Sequence, residues 1–139
     1  MKILFICRAN IGRSQIARAL FDKMTGERSE SAGVKVTEER RKMKLGEVSG
    51  AENVIRCMKE EGINLSQNEI KQVTLEMVDW ADKIIIMTSK ENLPGFILQS
   101  RKVKYWEIKD PKGTDLETHQ KTRDRIKELI NDLVQHHNS

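Results

Sequence analysis

The chain has 139 residues, a length that makes one folding domain and excludes a large multidomain enzyme. Hydrophobic residues make up 37% and charged residues 33%, with 4% aromatic, which suits an α/β domain with an aliphatic core. The formal charge of +4 is uneven: residues 1–50 carry 11 basic and 6 acidic side chains, and the remainder 14 and 15, so an anionic ligand is expected near the N-terminal third.

Two cysteines, Cys7 and Cys57, demand no disulfide framework and point to a reduced, cytoplasmic protein. Residues 3–6 are apolar but too few for a signal-peptide core, and no stretch approaches the ~18 apolar residues of a membrane span. Nucleic acid is disfavoured as a partner, because the basic run Arg40, Arg41, Lys42 and Lys44 has no interleaved aromatic residues. That run reads instead as a solvated loop, with the steering of acidic phosphoproteins as the alternative.

In chain order, residues 2–6 form a β-rich run, followed by a loop with Gly12. Ile16, Ala17, Leu20, Phe21 and Met24 then recur at helical spacing across 14–24. Residues 29–36 can supply a second strand, broken at Gly33, and the polar stretch 37–49 reads as an exposed loop. The spacing predicts a helix over 49–61, stopped at Gly62, and a helical piece over 75–81. Residues 83–87 read as a central strand apolar on both faces. A short helix over 90–98 is interrupted by Pro94-Gly95, a fourth strand covers 103–108, and Asp110-Pro111-Lys112-Gly113 is a loop. The last helix spans 116–134, with Ile126, Leu129, Ile130, Leu133 and Val134 on one stripe. Beyond it, His136 and His137 read as a frayed tail, and neither they nor His119 has a Cys or carboxylate partner at metal-ligand spacing. Trp80 and Trp106, before strand three and within strand four, read as packing residues. Strands alternating with helices imply a three-layer α/β domain over 1–139, with a four-stranded parallel sheet between helices.

The segment Cys7-Arg8-Ala9-Asn10-Ile11-Gly12-Arg13-Ser14 joins strand one to helix one, and in open α/β sheets ligands bind beyond the carboxyl ends of the strands. A loop that wraps into a helix N-terminus turns backbone N–H groups inward, and the helix dipole adds positive potential, so the segment is a cradle for a tetrahedral oxyanion. Arg13 adds a planar fork for two oxygens. A cation-rich helix N-terminus favours thiolate over thiol, and the thiolate is the nucleophile. Cys7 at the base of the cradle would face the anion's central atom. Ser14 can donate a hydroxyl to it, and Asn10 suits a left-handed backbone position. No Gly-Lys-Ser/Thr follows the strand, which disfavours nucleotide hydrolysis of the Walker type.

These residues resemble the low-molecular-weight protein tyrosine phosphatase family, whose signature is Cys-x5-Arg-Ser/Thr with Asn three places after Cys. Cys7, Asn10, Arg13 and Ser14 match it. The likeness continues through Ser31-Ala32-Gly33, residues 61–66, residues 81–88 and Asp110-Pro111. The resemblance implies Cys7, Arg13 and Asp110 as catalytic residues, with the anion held by Arg8, Ala9, Asn10, Ile11, Gly12, Arg13 and Ser14. It implies a phosphocysteine intermediate, Asp110 as general acid and then base, no metal and no cofactor. The substrate would be a phosphorylated protein or a small aryl phosphate. Lys112-Gly113 stands where family members acting on phosphotyrosine have an aromatic wall. Gln15-Ile16-Ala17 is similar to the related arsenate reductases, so arsenate with an external thiol or glutaredoxin-type donor is the alternative. The thioredoxin-coupled reductases carry two further cysteines after strand three, whereas Met87-Thr88-Ser89-Lys90 has none, and Cys57 reads as a core thiol.

Overall fold

The computed structural model describes residues 1–138, with side chains to His136. Four strands form one parallel sheet: β1 (Ile3–Cys7), β2 (Glu30–Gly33), β3 (Lys83–Ile86) and β4 (Val103–Tyr105), in the spatial order β2-β1-β3-β4. The helices are α1 (Arg13–Thr25), α2 (Glu52–Lys59), α3 (Leu75–Trp80), α4 (Gly95–Leu98) and α5 (Leu116–Asn138).

The period of two along a strand sorts the core. Ile3, Phe5 and Cys7 of β1 face one apolar cluster with Ile16 and Leu20 of α1, Val54 and Met58 of α2, and Ile126 and Ile130 of α5. Leu4 and Ile6 face the other with Ile84 and Ile86 of β3, Val78 of α3 and Ile97 of α4. Both faces of β1 are therefore dry, which is why all five of its residues are buried and apolar. Cys7 consequently emerges on the α1 side of the sheet, where the next helix begins. On the same side Phe5 meets Phe21 edge-on, with ring centroids 5.9 Å apart, and Trp106 at 6.0 Å.

Several expected boundaries shift for identifiable reasons. The second strand ends at Gly33, where the chain forms a single parallel bridge to Gln72. β4 stops at Tyr105 because its one partner, β3, ends at Ile86; Trp106 N–H caps the pairing on Ile86 C=O and its ring turns into the core just outside the strand. Residues 37–49 are not a solvated loop throughout. They hold two 3-10 turns (Arg40–Lys42 and Leu45–Glu47), and Leu45 and Val48 are buried, with Leu45 N–H bonded to Asn68 C=O and Gly46 N–H to Ser66 C=O. The last helix runs four residues past the expected end. His136 therefore sits on a helical turn, with Nδ1 2.6 Å from Asp132 C=O, and not in a frayed tail; the side chain of His137 lies outside the described residues.

Gly33 is pressed against the loop that follows β1. A Cβ there would lie 2.8 Å from backbone atoms of Arg8, Ala9 and Asn10, which cannot give way without moving the loop. Gly33→Ala is expected to cost about 1–3 kcal/mol by overpacking and to weaken phosphate binding. Gly95→Ala, where a Cβ meets nothing within 4 Å, serves as the control. Thermal melts with and without phosphate compare the two, and equal melts would mean that the loop yields freely.

Candidate active site

β1 delivers Cys7 to the carboxyl end of the sheet, and Gly12 starts α1 without a side-chain cap or an acidic residue in the first turn. The first amides of the helix are left for an external acceptor, the ordinary condition for anion binding. The intervening loop is held by Asn10, which is fully buried and has a left-handed φ of 57°. Its Nδ2 donates to Ser14 Oγ at 2.8 Å and Ser31 Oγ at 3.0 Å. Its Oδ1 accepts from Lys71 N–H at 2.9 Å and Gln15 Nε2 at 3.3 Å. Every hydrogen-bonding group of that amide is thus used.

Ser14 Oγ lies 2.9 Å from Cys7 Sγ. It accepts from Asn10 and keeps both its proton and a second lone pair for the sulfur, so either atom can donate in this contact. Arg13 is anchored by Nη1, which donates to Met87 C=O beyond β3 and to Ile108 C=O at 2.9 Å. Its Nη2 faces Asp110 Oδ2 across 3.6 Å, with side-chain exposures of 8% and 47%. Among the described residues Nε and Nη2 have no hydrogen-bond partner, so one edge of the fork is open to an oxyanion. Asp110 Oδ1 accepts from Lys112 N–H at 3.0 Å, a turn that folds the carboxylate back over the site.

Cys7, Ala9, Ile11, Gly12, Arg13 and Asp110 share a cleft of about 210 Å³. Asn10 and Ser14 lie behind it as bracing. The Arg8 side chain is exposed and lines a neighbouring groove on the far side of Arg13 and Asp110. Sequence reasoning missed the rest of the wall. Arg40 was visible only as part of a basic run, Val54 as a core residue of a helix, and Ser49 and Gly50 carried no signal. His119, without a partner in the sequence, is buried against the same cleft. Gln15 proves to be a brace: its Nε2 donates to Asn10 C=O and Glu69 C=O, each at 3.0 Å. Among the described residues no group of three or more His, Cys, Asp or Glu side chains is placed to hold a metal, and no helix is long and apolar enough to cross a membrane.

A thiol under an uncapped helix N-terminus, at the carboxyl end of a parallel sheet, is the build of the low molecular weight phosphotyrosine protein phosphatases. The chain belongs to that family, whose model matches residues 2–138. The protein-arginine-phosphatase of Geobacillus stearothermophilus is 29% identical, over 96% of this chain and 94% of its own. Arsenate reductase 1 of Staphylococcus epidermidis is 28% identical, over 92% and 91%. Among solved structures, the low molecular weight protein tyrosine phosphatase from T. tengcongensis superposes with a TM-score of 0.78 at 26% identity, covering 97% of this chain and 98% of that one. YwlE arginine phosphatase, as a cysteine-to-serine variant phosphorylated on its active-site serine, superposes with a TM-score of 0.79 at 25% identity, covering 98% and 95%.

The two thiols have opposite surroundings. Cys57 is sealed in the core, where burial pushes its thiol up to about 11 against the opposing pull of Arg123, and its Sγ contacts Val54 C=O at 3.3 Å. Iodoacetamide at about pH 8 is expected to alkylate Cys7 and spare Cys57 in the native protein, with inorganic phosphate slowing the reaction. Peptide mass mapping reads both, and equal labelling of the two would contradict the assignment of Cys57 to the core.

Proposed function

We propose that this protein hydrolyses phosphate monoesters of phosphorylated proteins or small aryl phosphates through a phosphocysteine on Cys7. The observation that carries this reading is the placement of Cys7, the open edge of Arg13 and the Asp110 carboxylate on one cleft. The phosphoryl oxygens would lie against the first-turn amides of α1 and the free edge of Arg13, which neutralise charge as it develops. The Cys7 thiolate attacks phosphorus and the P–O bond to the leaving group breaks, its electron pair staying with oxygen. Protonated Asp110 gives its proton to that oxygen. In the second step the Asp110 carboxylate takes a proton from water, the oxygen attacks phosphorus, and the S–P bond breaks to release phosphate and restore the thiolate. The variant relative phosphorylated on its active-site serine supports a phosphoryl-enzyme at this position.

Ile11, Val54 and Pro111 make part of the cleft wall apolar, which supports an aryl leaving group even with Lys112-Gly113 after Asp-Pro. A phosphorylated arginine, as the arginine phosphatase relative suggests, would use the same step with Asp110 protonating nitrogen.

The second reading is arsenate reduction, favoured by the reductase relatives and by the tetrahedral shape that arsenate shares with phosphate. It would run from Cys7 to an external thiol. Cys57, the second thiol of the chain, is sealed in the core and is poorly placed to resolve an intermediate.

Cys7→Ser is expected to abolish turnover of nitrophenyl phosphate. Asp110→Asn should lose about 10²–10⁴-fold on phenyl phosphate, whose leaving group needs a proton, and less on the nitrophenyl ester. Wild-type hydrolysis no faster than Cys7→Ser, together with rapid arsenate-dependent oxidation of a thiol donor, would replace the phosphatase reading with the reductase one.

A further inference from the structure

Asp110 is half exposed, and its own contacts are a turn amide and an ion pair across 3.6 Å. A general acid held so lightly needs its loop fixed elsewhere, since a displacement of about 1 Å can cost 10²-fold in rate. The fixing point lies at the other end of the same loop. Thr114 Oγ1 donates to Pro111 C=O, one residue after the acid, and Thr114 N–H donates to the same oxygen at 3.0 Å. Pro111 is buried, so that carbonyl is a firm anchor.

His119 stands behind this hydroxyl. It is 3% exposed, on the first turns of α5, with Nδ1 2.8 Å from Asp115 C=O and 3.3 Å from Thr114 Oγ1. A carbonyl can only accept, so Nδ1 carries the proton. The Thr114 hydroxyl spends its proton on Pro111 and can therefore only accept from the ring. The tautomer follows: the single Nδ1 proton is shared between Asp115 C=O and, as the longer branch, Thr114 Oγ1, whose own proton carries the link on to Pro111 C=O. Asn53 Nδ2, on α2, donates to Thr114 C=O at 3.2 Å and ties the same residue to a second helix.

We propose that His119 is the positioning residue for the acid loop: through Thr114 it sets where Asp110 stands relative to the leaving group. This rests on the reading of Asp110 as the general acid. It also gives a buried histidine at the cleft wall, which has no metal-ligand cluster around it among the described residues, a task in the reaction.

The test uses the full chain and the ratio of kcat/KM for nitrophenyl phosphate to that for phenyl phosphate. A variant that merely folds less well lowers both rates together and leaves the ratio unchanged. Loss of acid assistance falls on the phenyl ester and raises it. His119→Phe keeps a ring without the donor, and Thr114→Val removes the hydroxyl at an exposed position where folding is at little risk. Each is expected to raise the ratio about tenfold, part of the full 10²–10⁴-fold worth of a general acid. His119→Asn, whose amide nitrogen falls near the place of Nδ1, should bring the ratio back toward wild type. If Asp110→Asn raises the ratio while His119→Phe and Thr114→Val leave it at the wild-type value, the link is overturned and the acid assignment stands. A wild-type ratio in Asp110→Asn as well would overturn the acid assignment and this proposal with it.

Discussion

The site depends on one buried amide. Asn10 takes a backbone conformation that few residues other than glycine tolerate, and its side chain repays that cost by bonding four partners in three other segments of the fold. It joins the loop to α1 through Ser14 and Gln15, to β2 through Ser31, and to the segment before α3 through Lys71. A network of this kind is stable only when complete, because a single unpaired member in a dry interior costs about 1–3 kcal/mol. Its completeness makes the loop rigid before any anion arrives. The same network fixes where Ser14 Oγ sits, so the geometry around Cys7 is a consequence of how Asn10 is satisfied.

Arg13 plays the complementary part on the other side of the loop. Its anchors are two backbone carbonyls, beyond β3 and beyond β4, so the guanidinium spans the ends of two strands that are far apart in sequence. One edge is consumed by this bracing and the other is left for a ligand. Holding a cation this way costs little, because carbonyl dipoles solvate the charge without cancelling it. Asp110 then approaches as a partly exposed carboxylate, 3.6 Å from Arg13 Nη2.

Both cysteines are buried, and access to the cleft is what separates them. Cys7 ends a strand and opens onto the cleft, whereas Cys57 lies on the inner face of α2 beneath Arg123, which bonds Cys57 C=O at 2.8 Å and Glu60 at 2.7 Å. That guanidinium clamps α2 to α5 and closes the core above the thiol. Packing therefore leaves one thiol on the cleft and seals the other in the core.

Much of this was legible in the sequence. Strand one, the anion loop and the start of helix one follow from an apolar run, an Asn suited to left-handed backbone and the spacing of Cys7 and Arg13, all within twelve residues. Alternation of strands and helices was enough for the parallel three-layer sheet. Local chemistry of this sort is written in neighbouring residues, because the backbone conformation and the helix dipole act over a few positions. The far wall of the cleft was not legible. Arg40, Val54 and His119 come to it from a 3-10 turn and two helices whose own patterns speak only of solvent exposure or core packing. Residues 37–49 misled in the same way, since a polar sequence hid Leu45 and Val48, which join the main core, and a backbone tied to residues 66 and 68. The sequence alone determined that a thiol, an arginine and a helix start gather around one loop at the end of a buried strand. Tertiary packing decided what else lines the cleft and what holds the Asp110 loop, because those contacts join segments whose separation along the chain leaves no periodic or local trace.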